Sequence, residues 1–344
     1  MRVPRLPEGV RGERYRRYAF SQSFEAIRNK IRRREVNIDG QSMSMVEVRG
    51  SGPDIFTAAL FHGLSGNASH FFFMLPYLEP HFGRIFIPNI PGDASNPFVE
   101  GVSDIARRRK DLLLQLLQNL NQEVDGKLHV TGHSFGGTLA LAALAEAPEL
   151  FDSMALLAPA MAPCSPEERD KLKAVLTIAT VQDARRFLED SFSDQVPRWA
   201  RLKARSIVRS SQHPVHQQLI DDVLAQENFD PVTRDKIRNS GVNGVLLMPE
   251  QDRILPASTF ATLDDFLPPT MVRHTKEGLS HALHLTHPKM AAGYVVRAAS
   301  SSPMGVAAAR EMSEAPRRGT AARRSPTASR SRTRPGVKQA VAGS

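Results

Sequence analysis

Cysteine is nearly absent: Cys164 is the only one in 344 residues. A lone thiol excludes an intramolecular disulfide framework and leaves a cysteine-based zinc cluster without ligands. It stands among Ala, Met, Pro and Ser with no patterned cation beside it, so it reads as an inert thiol rather than a nucleophile. Long apolar runs are missing too. No segment reaches the length of a transmembrane helix, and the N-terminus has no uninterrupted apolar core of the secretory kind. A soluble, cytoplasmic protein is the expectation. Acidic residues are scarce at the two ends: residues 1–35 carry eleven Arg or Lys against four Glu, and residues 300–344 carry nine against two. The net charge of +9 therefore divides into +14 at the ends and −5 in the body. A basic balance confined to the termini argues against a nucleic-acid enzyme. It leaves room for weak contact of those termini with anionic surfaces.

What is present suffices for a large core, with 41% hydrophobic residues. The length fits one α/β domain with an insertion, or two domains. Phe20, Phe24, Ile27 and Ile31 recur at three and four residues with arginines between them, which predicts an amphipathic helix over 15–34 within a basic extension, residues 1–35. Val36 to Val48 reads as two strands around Asp39-Gly40. Phe56 to Phe61 is a compact apolar strand, Phe71 to Leu78 a helix, and Arg84 to Pro88 a further strand. The loop at 88–97 is dense in Pro, Gly and Asn. A long helix follows, with its leucines inward from Leu112 to Leu120 and Arg107 to Lys110 on the solvated side. Strand and helix alternate throughout, which implies a mostly parallel sheet.

The stretch HVTGHSFGGTLALAALAEAPEL, residues 129–150, carries the most specific signal. A strand ends at Thr131, Gly132 to Gly136 form G-x-S-x-G, and a run of Ala and Leu follows as a helix. Such a tight turn presents Ser134 at its apex and requires neighbours with little side-chain bulk, here Gly132, Gly136 and Gly137. The helix N-terminus favours developing negative charge. The strand ending at Phe61 empties into HGLSGNAS, so backbone amides face a ligand beyond the sheet edge. The amides of Leu64 and Phe135 are the candidate oxyanion donors.

After the strand Met154 to Leu157, residues 160–240 hold helical segments at 166–179, 183–188, 196–208 and 215–228 and no convincing strand. Eighty helical residues between two core strands suit a cap over the sheet edge. Phe187, Phe192 and Trp199 either line a pocket there or hold the cap together. Gly244 to Met248 is the next strand, followed by PEQDRILP with Asp252 just beyond it; Asp264 and Asp265 compete from further along. Val272 to His274 forms a last strand. In SHALHLTHP, His281 lies in the part most suited to a loop, with His284 as its substitute. The spacing His281, His284, His287 has no accompanying carboxylate cluster, so no metal is expected, and nothing calls for an organic cofactor. Residues 300–344 read as a disordered basic tail.

This order of parts resembles the α/β-hydrolase superfamily, in particular serine esterase, lipase and C–C bond hydrolase members with a helical cap. The likeness covers roughly residues 36–298. It implies the α/β-hydrolase fold, with a core at 36–159 and 241–298 and a cap at 160–240. It also implies a triad of Ser134 in GHSFGG, Asp252 in PEQDRILP and His281, which is followed seven residues later by Pro288. The loop NIPGDASN departs from the D-x-P-G-x-G-x-S of many members at Asn89 and Asp93. A serine at 134 argues against dehalogenases and epoxide hydrolases, which use aspartate there. The expected activity is hydrolysis of a small-molecule acyl ester through an acyl-enzyme. Thioester hydrolysis, C–C cleavage, acyl transfer and a non-catalytic binding module are the alternatives. The acyl and alcohol specificity and the oligomeric state are not encoded in these patterns.

Overall fold

The computed structural model describes residues 25, 27–64, 66–91, 104–124, 126–161, 165–193, 195–225 and 229–307. Eight strands build one sheet: β1 (Ile31–Ile38), β2 (Gln41–Arg49), β3 (Thr57–Phe61), β4 (Arg84–Pro88), β5 (Leu128–His133), β6 (Phe151–Leu157), β7 (Asn243–Pro249) and β8 (Met271–Lys276). Their spatial order is β1-β2-β4-β3-β5-β6-β7-β8. β1 and β2 run antiparallel to their neighbours, and the six strands from β3 to β8 are mutually parallel. The chain is an α/β-hydrolase fold, with a mixed, mostly parallel sheet, flanking helices and a helical insertion between core strands.

Helices occupy α1 (Leu75–Leu78), α2 (Ile105–Gln122), α3 (Phe135–Glu146), α4 (Pro166–Leu176), α5 (Val181–Phe192), α6 (Arg198–Arg201), α7 (Ala204–Ser211), α8 (Pro214–Ala225), α9 (Pro231–Arg238), α10 (Ala257–Phe266), α11 (Leu283–Thr286) and α12 (Pro288–Ser300). Every residue of β3, β5 and β6 is buried, because helices cover both faces of the sheet. Leucines of α2 and α3 pack on one face; α1 and α12 cover the other.

The hairpin of β1 and β2 closes through Asp39 and Gly40, both at positive φ (49° and 77°). That is the two-residue turn an Asp-Gly pair favours, with Ile38 opposite Gln41. The expected helix over 15–34 is corrected at its end: residues 31–34 belong to β1. The reason is non-local. Ile31–Ile38 pairs along its whole length with β2, and Arg34 reaches Glu47 on β2 and Glu123 beyond α2. Residues 1–24 lie outside the described residues.

The insertion between β6 and β7 contains α4 to α9 and, among the described residues, no strand. Side-chain capping boxes at Ser165 and Thr180 start α4 and α5. The single helix expected over 196–208 divides into α6 and α7 around Leu202 and Lys203, and the helix expected over 71–78 begins as a 3₁₀ turn, with α-helix only at Leu75–Leu78. Phe187 packs in two apolar clusters, one within the insertion and one that joins the insertion to Leu64, Ile254 and Leu255 of the core, while the rings of Phe192 and Trp199 meet edge to face.

Two further expectations are corrected. Arg109 is not on the solvated side of α2. It is fully buried, its Nε donating to the Pro91 carbonyl at 2.8 Å and its guanidinium lying 5.4 Å from the Phe135 ring centroid. The start of the expected disordered tail is ordered as well: the chain turns after α12, Ser302 is buried, and its Oγ accepts from Gly305 N at 3.0 Å. Residues 308–344, Cys164 and the loop 92–103 with Asp93 lie outside the described residues.

Candidate active site

β5 leads without pause into Ser134, whose backbone adopts φ 52°, ψ −125°, before α3 begins at Phe135. Such a conformation costs an L-residue on the order of 1–3 kcal/mol, so the surroundings must enforce it. They do so from three sides. Ser134 N donates to the Leu157 carbonyl at 3.0 Å, and the Ser134 carbonyl accepts from Gly137 N at 2.8 Å and Ala160 N at 3.0 Å. The turn is tight enough to require glycine. A Cβ at Gly132 would stand 2.5 Å from Gly137 Cα, and one at Gly136 only 2.2 Å from the Phe61 carbonyl oxygen.

Asp252 follows β7. Its Oδ1 accepts from the backbone amides of Ile254 and Leu255, each at 2.9 Å, which closes a local turn and aims Oδ2 away from the loop. Oδ2 accepts from His281 Nδ1 at 2.8 Å. A carboxylate can only accept, so this bond puts the hydrogen on Nδ1 and leaves Nε2 with its lone pair. Nε2 lies 3.0 Å from Ser134 Oγ and accepts from the hydroxyl. The three side chains come from loops after β5, β7 and β8, at one edge of the sheet. All are shielded, with the Asp252 side chain 1% exposed.

The competitors are placed elsewhere. Asp264 pairs with Arg273, and Asp265 is exposed. His287 Nδ1 contacts Thr286 Oγ1 at 3.0 Å. His284 is buried, its ring 3.9 Å from that of His133, and neither of its nitrogens has a hydrogen-bond partner among the described residues.

Leu64 and Phe135 follow the ends of the adjacent strands β3 and β5, where Phe61 is in register with Gly132. Neither amide is hydrogen-bonded to another described protein group, and Phe135 opens α3. Two residues that sequence reasoning left without a role support this loop. His62 Nε2 accepts from Ile90 N at 2.9 Å, so its Nδ1 carries the hydrogen and donates to the Gly63 carbonyl at 2.8 Å. Burial holds this ring neutral, with its pKa lowered to about 4. Asn89 Oδ1 accepts from Ala68 N at 2.8 Å and its Nδ2 donates to Ser44 Oγ at 2.8 Å, tying the end of β4 to the same loop. The departure at Asn89 is thus a structural tie.

His133 also went unnoticed in the sequence. Its Nε2 donates to the His281 main-chain carbonyl at 2.9 Å, and its ring contacts those of His281 and His284. Burial pushes His133 and His284 well below the ordinary imidazole value, with neighbouring histidines lowering each further. Gly63 is crowded against the same turn: a Cβ there would lie 3.0 Å from Ser134 Cβ and 3.1 Å from His133 Nδ1. Among the described residues, no group of three His, Cys, Asp or Glu is placed to hold a metal ion.

The sheet order, the strained serine and the helical insertion agree with a family comparison: the model of the Alpha/beta hydrolase family matches residues 59–292. The chain belongs to that family. No curated protein matches this α/β-hydrolase chain. Among solved structures it is similar to a bacterial membrane phospholipase A (TM-score 0.65, 18% identity, covering 80% of this chain and 90% of that one). It is also similar to a 2-hydroxy-6-oxo-6-phenylhexa-2,4-dienoate hydrolase from Rhodococcus sp. strain RHA1 (TM-score 0.67, 18% identity, 79% and 99%). A third is naproxen esterase from Bacillus subtilis (TM-score 0.58, 22% identity, 86% and 99%). At these identities the likeness establishes the fold. Serine-hydrolase chemistry of the ester or C–C type is consistent with it.

Proposed function

We propose that the chain is a serine hydrolase that cleaves carboxylic esters through an acyl-enzyme on Ser134, with His281 as base and Asp252 as its orienting carboxylate. The observation that carries this reading is the continuous relay of 3.0 Å from Ser134 Oγ to His281 Nε2 and 2.8 Å from Nδ1 to Asp252. His281 takes the Ser134 proton as Oγ bonds to the ester carbonyl carbon. The carbonyl oxygen becomes an oxyanion facing the amides of Leu64 and Phe135. Such donors contribute about 3 kcal/mol each when preorganised. The C–O bond then breaks, and protonated His281 delivers its proton to the departing alkoxide. Water, deprotonated by the same histidine, attacks the acyl carbon, and Ser134 recovers its proton as the acid leaves.

The cap supports an apolar acyl group. Leu64 packs in a cluster with Leu172, Leu176, Ile220, Leu224 and Leu255, so the residue carrying one oxyanion amide sits against hydrocarbon from α4 and α8. Burying each methylene of an acyl chain there is worth about 0.8 kcal/mol. The similar structures named above include an esterase, a phospholipase A and a dienoate hydrolase, and those activities are those of the proteins so named. Ester hydrolysis is preferred here because the relay and the two amides complete it without any further group.

A panel of p-nitrophenyl esters of increasing acyl length, with matched thioesters, tests the reading. Ester turnover with an initial burst and a rise in kcat/KM with chain length is expected. Turnover of thioesters alone, or of none of these by protein with an intact melting transition, would sink it.

A further inference from the structure

The edge of the cap formed by α6 and α7 combines two features that a purely internal role leaves unused. The first is charge. Residues 195–220 contain Arg198, Arg201, Lys203, Arg205 and Arg209 and no Asp or Glu. All five cations are exposed, and among the described residues none is ion-paired. The second is apolar exposure in the middle of that charge. Leu202 is 85% exposed and Trp199 39% exposed, each with cations within two residues on both sides or adjacent.

The rest of the segment is already satisfied by packing. Ile207 and Val208 face inward against Ile178, Ala184 and Ala204, while Ala200 packs with Phe192 and Ala282. One face of the Trp199 ring stacks on Phe73 at 5.7 Å. The outward residues are therefore held on a fixed support and need no cap rearrangement to meet a partner. Ala282 immediately follows His281, and its amide donates to the Ser191 carbonyl at the end of α5, so this edge borders the loops of the candidate site.

We propose that the α6–α7 edge docks on an anionic lipid surface. Charge complementarity selects an anion, and the apolar pair selects which kind. A soluble polyanion would satisfy the arginines and leave Leu202 in water. A lipid interface takes both, with guanidinium and ammonium groups at phosphate level, the indole in the interfacial layer and the leucine among the upper acyl segments. This edge is distinct from the basic termini, and its docking does not depend on the ester reading of Ser134.

Trp199 is the only tryptophan in the chain, so intrinsic emission reports this surface alone. Full-length protein is titrated with vesicles of phosphatidylcholine and of phosphatidylcholine with an equal share of phosphatidylglycerol, with and without bromine on the upper acyl carbons. Emission moves to shorter wavelength and is quenched by the brominated anionic vesicles, and neither occurs with phosphatidylcholine alone. Leu202→Ser lowers the partition constant about ten-fold. Reversing two cations in R201E/R205E lowers it by at least about 25-fold, at roughly five-fold per cation. Both variants keep the parental melting temperature. Co-sedimentation with anionic vesicles while Trp199 emission stays unchanged would assign binding to the termini and overturn the proposal. Variants that partition as tightly as the parent would do the same. Heparin that reproduces the full spectral shift would make the partner a soluble polyanion and remove the lipid assignment.

Discussion

Replacing His62 with glutamine isolates the titration of one buried ring from the general acid sensitivity of the fold. In the folded chain His62 accepts from Ile90 N and is 2% exposed, and burial lowers its pKa to about 4 from the ordinary 6.5. The unfolded chain therefore binds this proton first as pH falls. Stability contributed by the neutral ring is complete above about pH 6.5 and is lost progressively down to about pH 4. Integrated over that window, the loss relative to pH 7.5 is about 2 kcal/mol at pH 5 and about 3 kcal/mol at pH 4. Protonating Nε2 also sets two donors, the ring and Ile90 N, against each other beside the loop that carries Leu64. The glutamine amide can accept from Ile90 and donate to Gly63 without titrating. Urea unfolding at pH 7.5 and pH 5.0, followed by Trp199 emission, is run on the parent and H62Q. The variant starts less stable, yet loses about 2 kcal/mol less than the parent between the two pH values. Equal losses would refute the reasoning, because His62 would then not be a ring held neutral by burial.

Other outcomes follow from the same geometry. Gly136→Ala places a Cβ 2.2 Å from the Phe61 carbonyl, which cannot yield inside β3, so it costs about 3 kcal/mol or more in thermal melts and abolishes turnover. Gly40→Ala, at φ 77° but in open space, costs only about 1 kcal/mol and leaves activity intact. Asp252→Asn keeps the shape of the side chain but can turn a donor toward His281 Nδ1; kcat for a p-nitrophenyl ester falls about 10⁴-fold with KM little changed. His133→Gln weakens the support of the His281 carbonyl and lowers kcat about five- to ten-fold, with a melting temperature within a few degrees of the parent.

Local chemistry explains what was legible before the structure. The sequence around Ser134 has to supply glycine where an added Cβ would come within about 2.5 Å of neighbouring backbone, so Gly132 and Gly136 advertise the turn. Asp252 follows the apolar strand β7, His281 follows the short strand β8, both occupy loops, and the absence of strand-like alternation over 160–240 marks the insertion. The sheet's central strands read as apolar runs because both faces are covered. What escaped was non-local. The arginines of β1 spoke for a helix until β2, Glu47 and Glu123 were brought alongside. Arg109 sat in a row of cations whose periodicity pointed outward; only the approach of Pro91 and Phe135 explains its burial. His62 follows β3, His133 ends β5 and His284 lies in α11, so they meet only after folding and no spacing in the chain announces that they pack behind the relay.

The central claim is that Ser134 is the group on which covalent chemistry occurs. Labelling with a fluorophosphonate, followed by mass spectrometry of the digested protein, tests it most directly. One adduct per chain is expected, located on the peptide containing GHSFGG, with labelling lost in Ser134→Ala and strongly slowed in His281→Ala at unchanged melting temperature. An adduct on another residue, or labelling that persists after Ser134→Ala, would contradict the account.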